Sequence, residues 1–218
     1  TDGQVITYSA AGDPVAVGPG AAGEVLTSAG ANLPQTFAAA GGGAWTLIST
    51  GTGSGQRYID FTGLDNTYDV HVLVFNDVRV DDDAEYFNVR LGTGATPTWE
   101  TSGYKYIGSK RLSSDGADDW VFSDNDASGY STFKITGSTG NATGENMSGW
   151  LYCFSLASTG HKHFAGNTPF SQSGGRLSAG EVWGSFTKTN PVTGLRCFWD
   201  DGLFGTTSKI RLYGITNS

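Results

Sequence analysis

The chain has 218 residues and a formal net charge of −8, with 13 Lys and Arg against 21 Asp and Glu. A chain of this length can bury a core of its own, but scattered basic residues in an acidic chain lack the electrostatic footprint of a nucleic-acid or anionic-membrane binder. No apolar run approaches the roughly 20 residues that a membrane-spanning helix needs, so we expect neither nucleic-acid binding nor membrane insertion.

Composition favours strands over helices. Only 16% of the residues are charged, 12% are aromatic and 33 are Gly, a balance that is typical of many short strands joined by glycine turns. No stretch shows a convincing apolar stripe with a 3.6-residue period. The sequence therefore predicts an all-β protein with little helix.

Residues 1 to 43 differ from the rest because they contain few large apolar side chains. The strand-like pieces are QVITY (4 to 8) and EVLTS (24 to 28), separated by GDPVAVGPGAAG. Such a segment cannot bury enough apolar area to fold alone. We expect it to be an extended stalk, ordered by pairing with copies of itself or with the following domain; a flexible tether is the alternative.

Residues 44 to 218 are predicted to form one domain of antiparallel strands. Period-2 patterns recur there with turn residues between them, as in a sandwich or barrel. The predicted strands span residues 44 to 49, 57 to 62, 68 to 76, 85 to 91, 103 to 109, 131 to 136, 148 to 157, 181 to 187, 193 to 199 and 208 to 215.

Two of these strands carry apolar residues on both faces. YDVHVLVF (68 to 75) has this pattern, which is typical of a central strand, and GWLYCFSL (149 to 156) has it too. We expect the first strand in the middle of one sheet and the second strand in the other sheet.

In the last strand, Ile210, Leu212 and Ile215 are expected to face the core. Gly214 would let that strand bend or pack closely against a neighbour. The two cysteines, Cys153 and Cys197, fall in apolar strand-like runs and are predicted to be buried free thiols; a disulfide between them is the alternative.

Four long connections are the places where we expect recognition, because long loops at the ends of a sandwich often carry function. They supply aromatic rings that can stack on sugar faces and short polar groups that can bind hydroxyls, although aromatic residues in loops also form small satellite cores. The loops are 92 to 102, 110 to 130, 137 to 147 and 157 to 180. The candidate saccharide ligands are Asp118, Asp119, Trp120, Phe122 and Tyr130 in one group and Asn167, Phe170 and Gln172 in another.

One candidate cation site begins at Asp124. With Asp126 and Ser128 it reproduces the first half of a calcium loop, in which alternate oxygen ligands wrap the ion. The twelfth position, where such a loop needs a bidentate Glu, is Ile135. A calcium ion would need other ligands, and an ordinary solvated turn is the alternative.

Two further groups could bind cations. His161 and His163 are spaced to chelate a metal from one strand face, and in a threefold assembly three such pairs would supply six nitrogen ligands; two exposed loop histidines are the alternative. The carboxylates of residues 81 to 83 form the other group, and we expect them to be exposed in a strand connection. No cofactor is assigned from the sequence.

The segment GEVLTSAGANLPQTFAAAGGGAW (23 to 45) resembles one that precedes the last globular domain of bacteriophage tail-fibre and virion-fibre proteins. The runs YDVHVLVFNDV (68 to 78) and VTGLRCFWDDGLF (192 to 204) resemble the opening and closing strands of a fibre head. The resemblance implies a jelly-roll-like β-sandwich head at 44 to 218 behind a stalk at 1 to 43. It also implies a homotrimer held partly by apolar residues of the stalk, namely Val5, Ile6, Val25 and Leu26.

The same resemblance implies an extracellular virion protein that binds a bacterial surface component, a saccharide, during host attachment. Its N-terminus would contact other virion proteins. Two alternatives stay open: a structural head fibre or capsid decoration protein without a receptor, and a secreted carbohydrate-binding module. The sequence has no nucleophile elbow, HExxH motif or phosphate loop, so we do not expect an enzyme.

Overall fold

The computed structural model describes residues 3–39, 45–112, 120–124 and 130–216, and within them every regular element is a β-strand. The chain divides into two compact units, Thr1–Gly43 and Ala44–Ser218. The strands are β1 Val5–Tyr8, β2 Pro14–Val17, β3 Glu24–Thr27, β4 Thr36–Ala39, β5 Trp45–Thr52, β6 Tyr58–Thr62, β7 Tyr68–Val78, β8 Phe87–Thr93, β9 Thr98–Trp99, β10 Tyr104–Leu112, β11 Trp120–Asp124, β12 Phe133–Lys134, β13 Met147–Phe154, β14 Lys162–Asn167, β15 Phe170–Ser171, β16 Leu177–Phe186, β17 Val192–Trp199 and β18 Lys209–Thr216.

The first unit consists of two antiparallel hairpins, β1 with β2 and β3 with β4. Both strands predicted from the sequence are present, and each pairs with a short partner that the sequence did not indicate. The partners PVAV and TFAA contain few large side chains, so their alternating pattern is weak. These strands pair locally within the unit; an extended stalk, ordered by pairing with copies of itself or with the following domain, stays a prediction.

The second unit contains two antiparallel sheets that share one core. The nine-stranded sheet has the order β11-β10-β16-β14-β13-β7-β18-β5, with β15 beside β13 and β16. The five-stranded sheet has the order β12-β8-β17-β6, with β9 beside β8. The predicted all-β antiparallel sandwich is thus confirmed, while the jelly-roll connectivity stays a prediction.

The core lies between the inner faces of the two sheets. Leu73, Leu151 and Leu212 occupy one inward row of the nine-stranded sheet and are fully buried. Phe75 of that sheet packs edge-on against Phe87 of the other, with ring centroids 5.4 Å apart. Because side chains alternate across a strand, the residues between these inward positions form the two outer faces.

All ten strands predicted in this unit are present, and β7 is central as expected, between β13 and β18. Three expectations were wrong. The strand of 149 to 156 lies beside β7 in the same sheet, because two-sided apolar character indicates a buried strand but not its sheet. Three of the four predicted loops contain strands: β9 lies within 92 to 102, β11 lies within 110 to 130, and β14 and β15 lie within 157 to 180. Ile215 is half-buried on the outer face, three pairing positions from the inward Leu212, and an odd number of positions reverses the face.

Candidate functional site

The outer face of the five-stranded sheet carries an unusual set of side chains in two neighbouring rows. Pairing register places Tyr58, Phe198, Asn88 and Lys134 across four strands in one row. The next row contains Asp60, Arg196 and Arg90. Alternation turns Ile59, Val89 and Cys197 inward into the core. Aromatic rings and cations therefore share one outward surface.

A cleft of about 410 Å³ opens on this surface. The sheet supplies most of its wall, Tyr106 of β10 contributes from the other sheet, and the segment before β12 completes it. Its volume lies within the range of small-molecule sites, and its lining combines aromatic rings with a majority of polar groups. The lining residues are Arg57, Tyr58, Arg90, Tyr106, Tyr130, Ser131, Thr132, Lys134, Phe198 and Asp200.

Asp200, just after β17, organises one side of the cleft. Its Oδ1 accepts a hydrogen bond from Asn88 Nδ2 at 2.7 Å, and its Oδ2 forms an ion pair with Lys134 Nζ at 3.0 Å. Lys134 also lies over the ring of Tyr86, 3.9 Å from its centroid. The carboxylate and the ammonium hold each other in place, so their charges cancel locally.

Arg57 borders the cleft at the start of β6. Its guanidinium pairs with Asp201 at 3.1 Å and donates to the Asp200 carbonyl at 3.2 Å. The hydrogen bond between the two side chains raises the pKa of Arg57 and lowers the pKa of Asp201. Both side chains are exposed, at 44% and 77%, so water screens the pair and a ligand can compete with it.

Arg90, at the centre of the face, is differently placed. Its Nε donates to the Ser131 carbonyl at 3.1 Å, and its guanidinium lies over the Phe198 ring, 4.7 Å from the centroid. No carboxylate among the described residues forms an ion pair with it. Within the residues that the structure describes, the two terminal nitrogens of Arg90 are therefore without a carboxylate partner.

Arg196 lies beside Arg90 but is occupied. It forms two hydrogen bonds with the carboxylate of Asp60, at 2.8 and 2.7 Å. Its guanidinium is also 4.0 Å from the Tyr58 ring centroid and 4.2 Å from that of Trp99. This bidentate, aromatic-flanked arrangement is rigid and holds the Tyr58 ring at the edge of the cleft.

The structure brings one sequence-predicted saccharide ligand, Tyr130, into the cleft. From the same predicted group, Trp120 and Phe122 lie on β11, and Asp118 and Asp119 lie outside the described residues. The cationic and aromatic residues of the cleft were missed because each comes from a different segment, and no local spacing links Arg57, Arg90 and Lys134.

The second predicted group does not converge on a site. Phe170 is 2% exposed and belongs to the core, so its ring cannot stack on a sugar. Asn167 is half-buried on β14, in register with Trp150 and Glu181. The half-buried Gln172 pairs through its backbone with Thr139.

The predicted cation sites are not assembled in the described part of the chain, where no group of three His, Cys, Asp or Glu suits a metal. Asp124 ends β11, whereas Asp126 and Ser128 lie outside the described residues. His161 precedes β14, and His163 is exposed on it beside Phe154.

The carboxylates of residues 81 to 83 are exposed, as expected. Asp81 accepts a hydrogen bond from the backbone nitrogen of Leu203 at 2.5 Å, and Asp83 accepts one from the Ser173 hydroxyl at 2.7 Å. These contacts attach the connection between β7 and β8 to neighbouring loops. They give the two carboxylates a local structural role.

Both cysteines are free and buried, as predicted. Burial raises the pKa of Cys153 and of Cys197. Because the thiolate is the reactive form, neither side chain is a nucleophile in the folded protein. They act as small apolar groups of the core.

A second aromatic surface covers the outer face of the nine-stranded sheet. Trp45 and Trp150 are 42% and 41% exposed and flank Tyr152, with ring centroids 6.0 and 5.1 Å from it. The interplanar angles are 82° and 73°. Edge-to-face rings pack well against one another but do not form a flat platform for a sugar, so the cleft is the better candidate for a ligand.

The four residues predicted to mediate oligomerisation lie on β1 and β3. Ile6, Val25 and Leu26 are 68%, 46% and 42% exposed in the single chain, and Val5 is half-buried. Exposed apolar side chains on small hairpins leave area that a further chain can bury.

The fold and the cleft define an all-β sandwich protein with a ligand-sized site on one outer sheet face. Comparison of the chain with protein-family models, curated proteins and solved structures yielded no match. The described part of the chain contains no helix that could span a membrane.

Proposed function

We propose that the protein is the head of a bacteriophage virion fibre and that its cleft binds a saccharide on the bacterial surface during host attachment. The observation that carries the proposal is the combination, in one 410 Å³ cleft, of aromatic rings and fixed polar side chains. Sugars present apolar ring faces and hydroxyls together, so a saccharide site needs both kinds of group.

The geometry favours binding over catalysis. Glycoside hydrolysis usually requires two carboxylates about 5 to 9.5 Å apart around the scissile bond. Among the described lining residues Asp200 is the one carboxylate, and it is held by Asn88 and Lys134. We therefore propose a binding protein and not an enzyme.

The proposal includes a homotrimer and a virion location outside the cell. Exposed apolar side chains on both hairpins of the first unit support self-association, and the resemblance to fibre proteins supports trimers with the N-terminal unit facing other virion proteins. A head fibre without a receptor would have no ligand for the cleft. A secreted carbohydrate-binding module would be a single chain.

The test is binding of the fluorescently labelled protein to a panel of bacterial strains, before and after periodate oxidation of their surface glycans. We expect binding to some strains, and its loss after oxidation. Tyr58→Ala should reduce that binding at least about tenfold, because it removes the exposed ring at the edge of the cleft.

The matched control is Trp183→Ala, which removes a similarly exposed aromatic side chain, 45% against 39% for Tyr58, from the outer face of the other sheet. It should leave binding unchanged. Binding that survives oxidation, or no binding to any strain, would refute the saccharide-receptor function and favour a structural fibre. Equal losses in both variants would place the site away from the cleft.

A further inference from the structure

The described lining of the cleft is net positive, whereas the whole chain is net negative. The protein carries eight more acidic than basic side chains, yet the described lining contains three cations, Arg57, Arg90 and Lys134, and one acid, Asp200. Like charges grouped on one surface repel one another and destabilise the folded state, unless opposite charges or a ligand neutralise them. A group of cations in an acidic chain therefore indicates that the ligand is negatively charged.

Two of these three cations form ion pairs with neighbouring carboxylates. Lys134 is neutralised by Asp200 at 3.0 Å, and Arg57 by Asp201 at 3.1 Å. Arg90 has no carboxylate partner among the described residues. Within the described part of the chain, the cleft therefore contains one positive charge that has no carboxylate partner, that of Arg90.

The orientation of Arg90 is also fixed before any ligand arrives. Its Nε donates to the Ser131 carbonyl at 3.1 Å, and its guanidinium is held 4.7 Å from the centroid of the Phe198 ring. These contacts leave the terminal nitrogens to form the two parallel hydrogen bonds with which arginine binds a carboxylate or a phosphate. A preorganised guanidinium loses less entropy on binding than a mobile one.

We infer that the ligand of the cleft is an acidic saccharide, whose carboxylate or phosphate group is bound by Arg90 while its sugar ring contacts the aromatic side chains. The inference rests on the proposed function and makes it more specific. A nucleic acid is a poorer fit, because its closely spaced phosphates would meet the acidic remainder of the chain.

The test is an array of purified bacterial polysaccharides that includes matched acidic and neutral glycans. We expect the protein to bind acidic glycans. Arg90→Gln should reduce the affinity for them at least about tenfold, because it removes hydrogen bonds to a charged group. Arg176→Gln removes the same charge from an exposed loop position and should bind like the wild type. Thermal unfolding of both variants checks that each is folded.

Titration in solution distinguishes the two acidic groups. Trigalacturonate against galactotriose tests a carboxylate, and mannose 6-phosphate against mannose tests a phosphate; acetate and inorganic phosphate test the anion without a sugar. Preference for an acidic member of either pair, weakened by salt and lost in Arg90→Gln, supports the inference.

The outcomes separate the inference from the proposed function. Equal affinity for acidic and neutral glycans, or equal losses for both in Arg90→Gln, would overturn the acidic specificity and leave a saccharide receptor. Binding of acetate or phosphate as tightly as of the acidic sugar would mean an adventitious ion only. Binding to no glycan on the array and to no bacterial strain would overturn both.

Discussion

Lys162, the first residue of β14, is a buried cation bound by backbone oxygens. Its side chain is fully buried, and its Nζ donates to the backbone carbonyls of Gly160, Lys188 and Asn190 at 2.9, 3.2 and 2.7 Å. In the pattern KHFAGN of β14, an inward lysine interrupts the apolar alternation that marks a strand. The sequence therefore predicted a loop, although β14 is an interior strand of its sheet.

The same contacts make Lys162 a structural residue whose removal should be costly. Lys162→Met keeps most of the side-chain length but leaves three carbonyls without this donor, so we expect the free energy of unfolding to fall by about 2 to 4 kcal/mol. Burial lowers the pKa of this lysine, and the three carbonyl oxygens compensate for lost solvation.

Urea denaturation gives the free energy directly. Lys105→Met is the matched control, since Lys105 is exposed on β10 of the same sheet, and its loss of free energy of unfolding should be within about 0.5 kcal/mol. Equal stability of the wild type and Lys162→Met would show that water replaces the ammonium at those carbonyls.

At the scale of elements, strands with a clear alternating pattern could be predicted, whereas β9, β11, β14 and β15 could not. Ten strands of the second unit show clear alternation, and each is present. Strands β9, β12 and β15 have two residues each, which is too few to show an alternating pattern. Strand β12 was nevertheless predicted, because it lies within the longer alternating run of residues 131 to 136. Assignment to a sheet depends on contacts between distant segments, which is why β13 was placed in the wrong sheet.

Gly184 of β16 lies where the two sheets pack closely against each other. A Cβ atom built on Gly184 would overlap the ring of Phe133, which belongs to the opposite sheet, and would lie 2.7 Å from the carbonyl oxygen of Lys105. β10 and β14 pair with β16 on either side, so the strand cannot shift away. Gly184→Ala should therefore reduce the free energy of unfolding by about 1 to 3 kcal/mol.

The control for this overpacking is Gly160→Ala. There the added Cβ would have the Ser158 hydroxyl, at 3.7 Å, as its nearest neighbour, and the residue is exposed. Guanidinium denaturation of both variants should show a loss for Gly184→Ala alone. A fully stable Gly184→Ala would mean that the Phe133 ring rotates freely, contrary to its packing against Phe164 with ring centroids 5.0 Å apart.

At the scale of the whole molecule, the candidate site was much less predictable than the fold. Alternation identifies Arg90 and Phe198 as outward residues of their strands, but only the pairing of β8 with β17 makes them neighbours. Convergence of distant segments depends on register and sheet order, which local patterns do not encode. Tyr130 could be named because aromatic loop residues are conspicuous without any knowledge of their neighbours.

Self-association is the property of the whole molecule that most directly separates a fibre from a monomeric binding module. Ile6 and Leu26 lie on different hairpins of the first unit and are 68% and 42% exposed. If these hairpins contact neighbouring chains, the double variant Ile6→Asn, Leu26→Asn replaces buried apolar area with amide groups that lack partners. Sedimentation should then show a change from the mass of three chains to the mass of one.

The control is Ala31→Asn, an equally polar change at an exposed turn between β3 and β4, which should sediment like the wild type. The proposed saccharide site is built from residues of the second unit, so the dissociated variant should keep its affinity for a single saccharide. It should lose the avidity of several sites acting on one cell surface. A wild-type protein that sediments as a single chain would contradict the trimer and favour the secreted binding module.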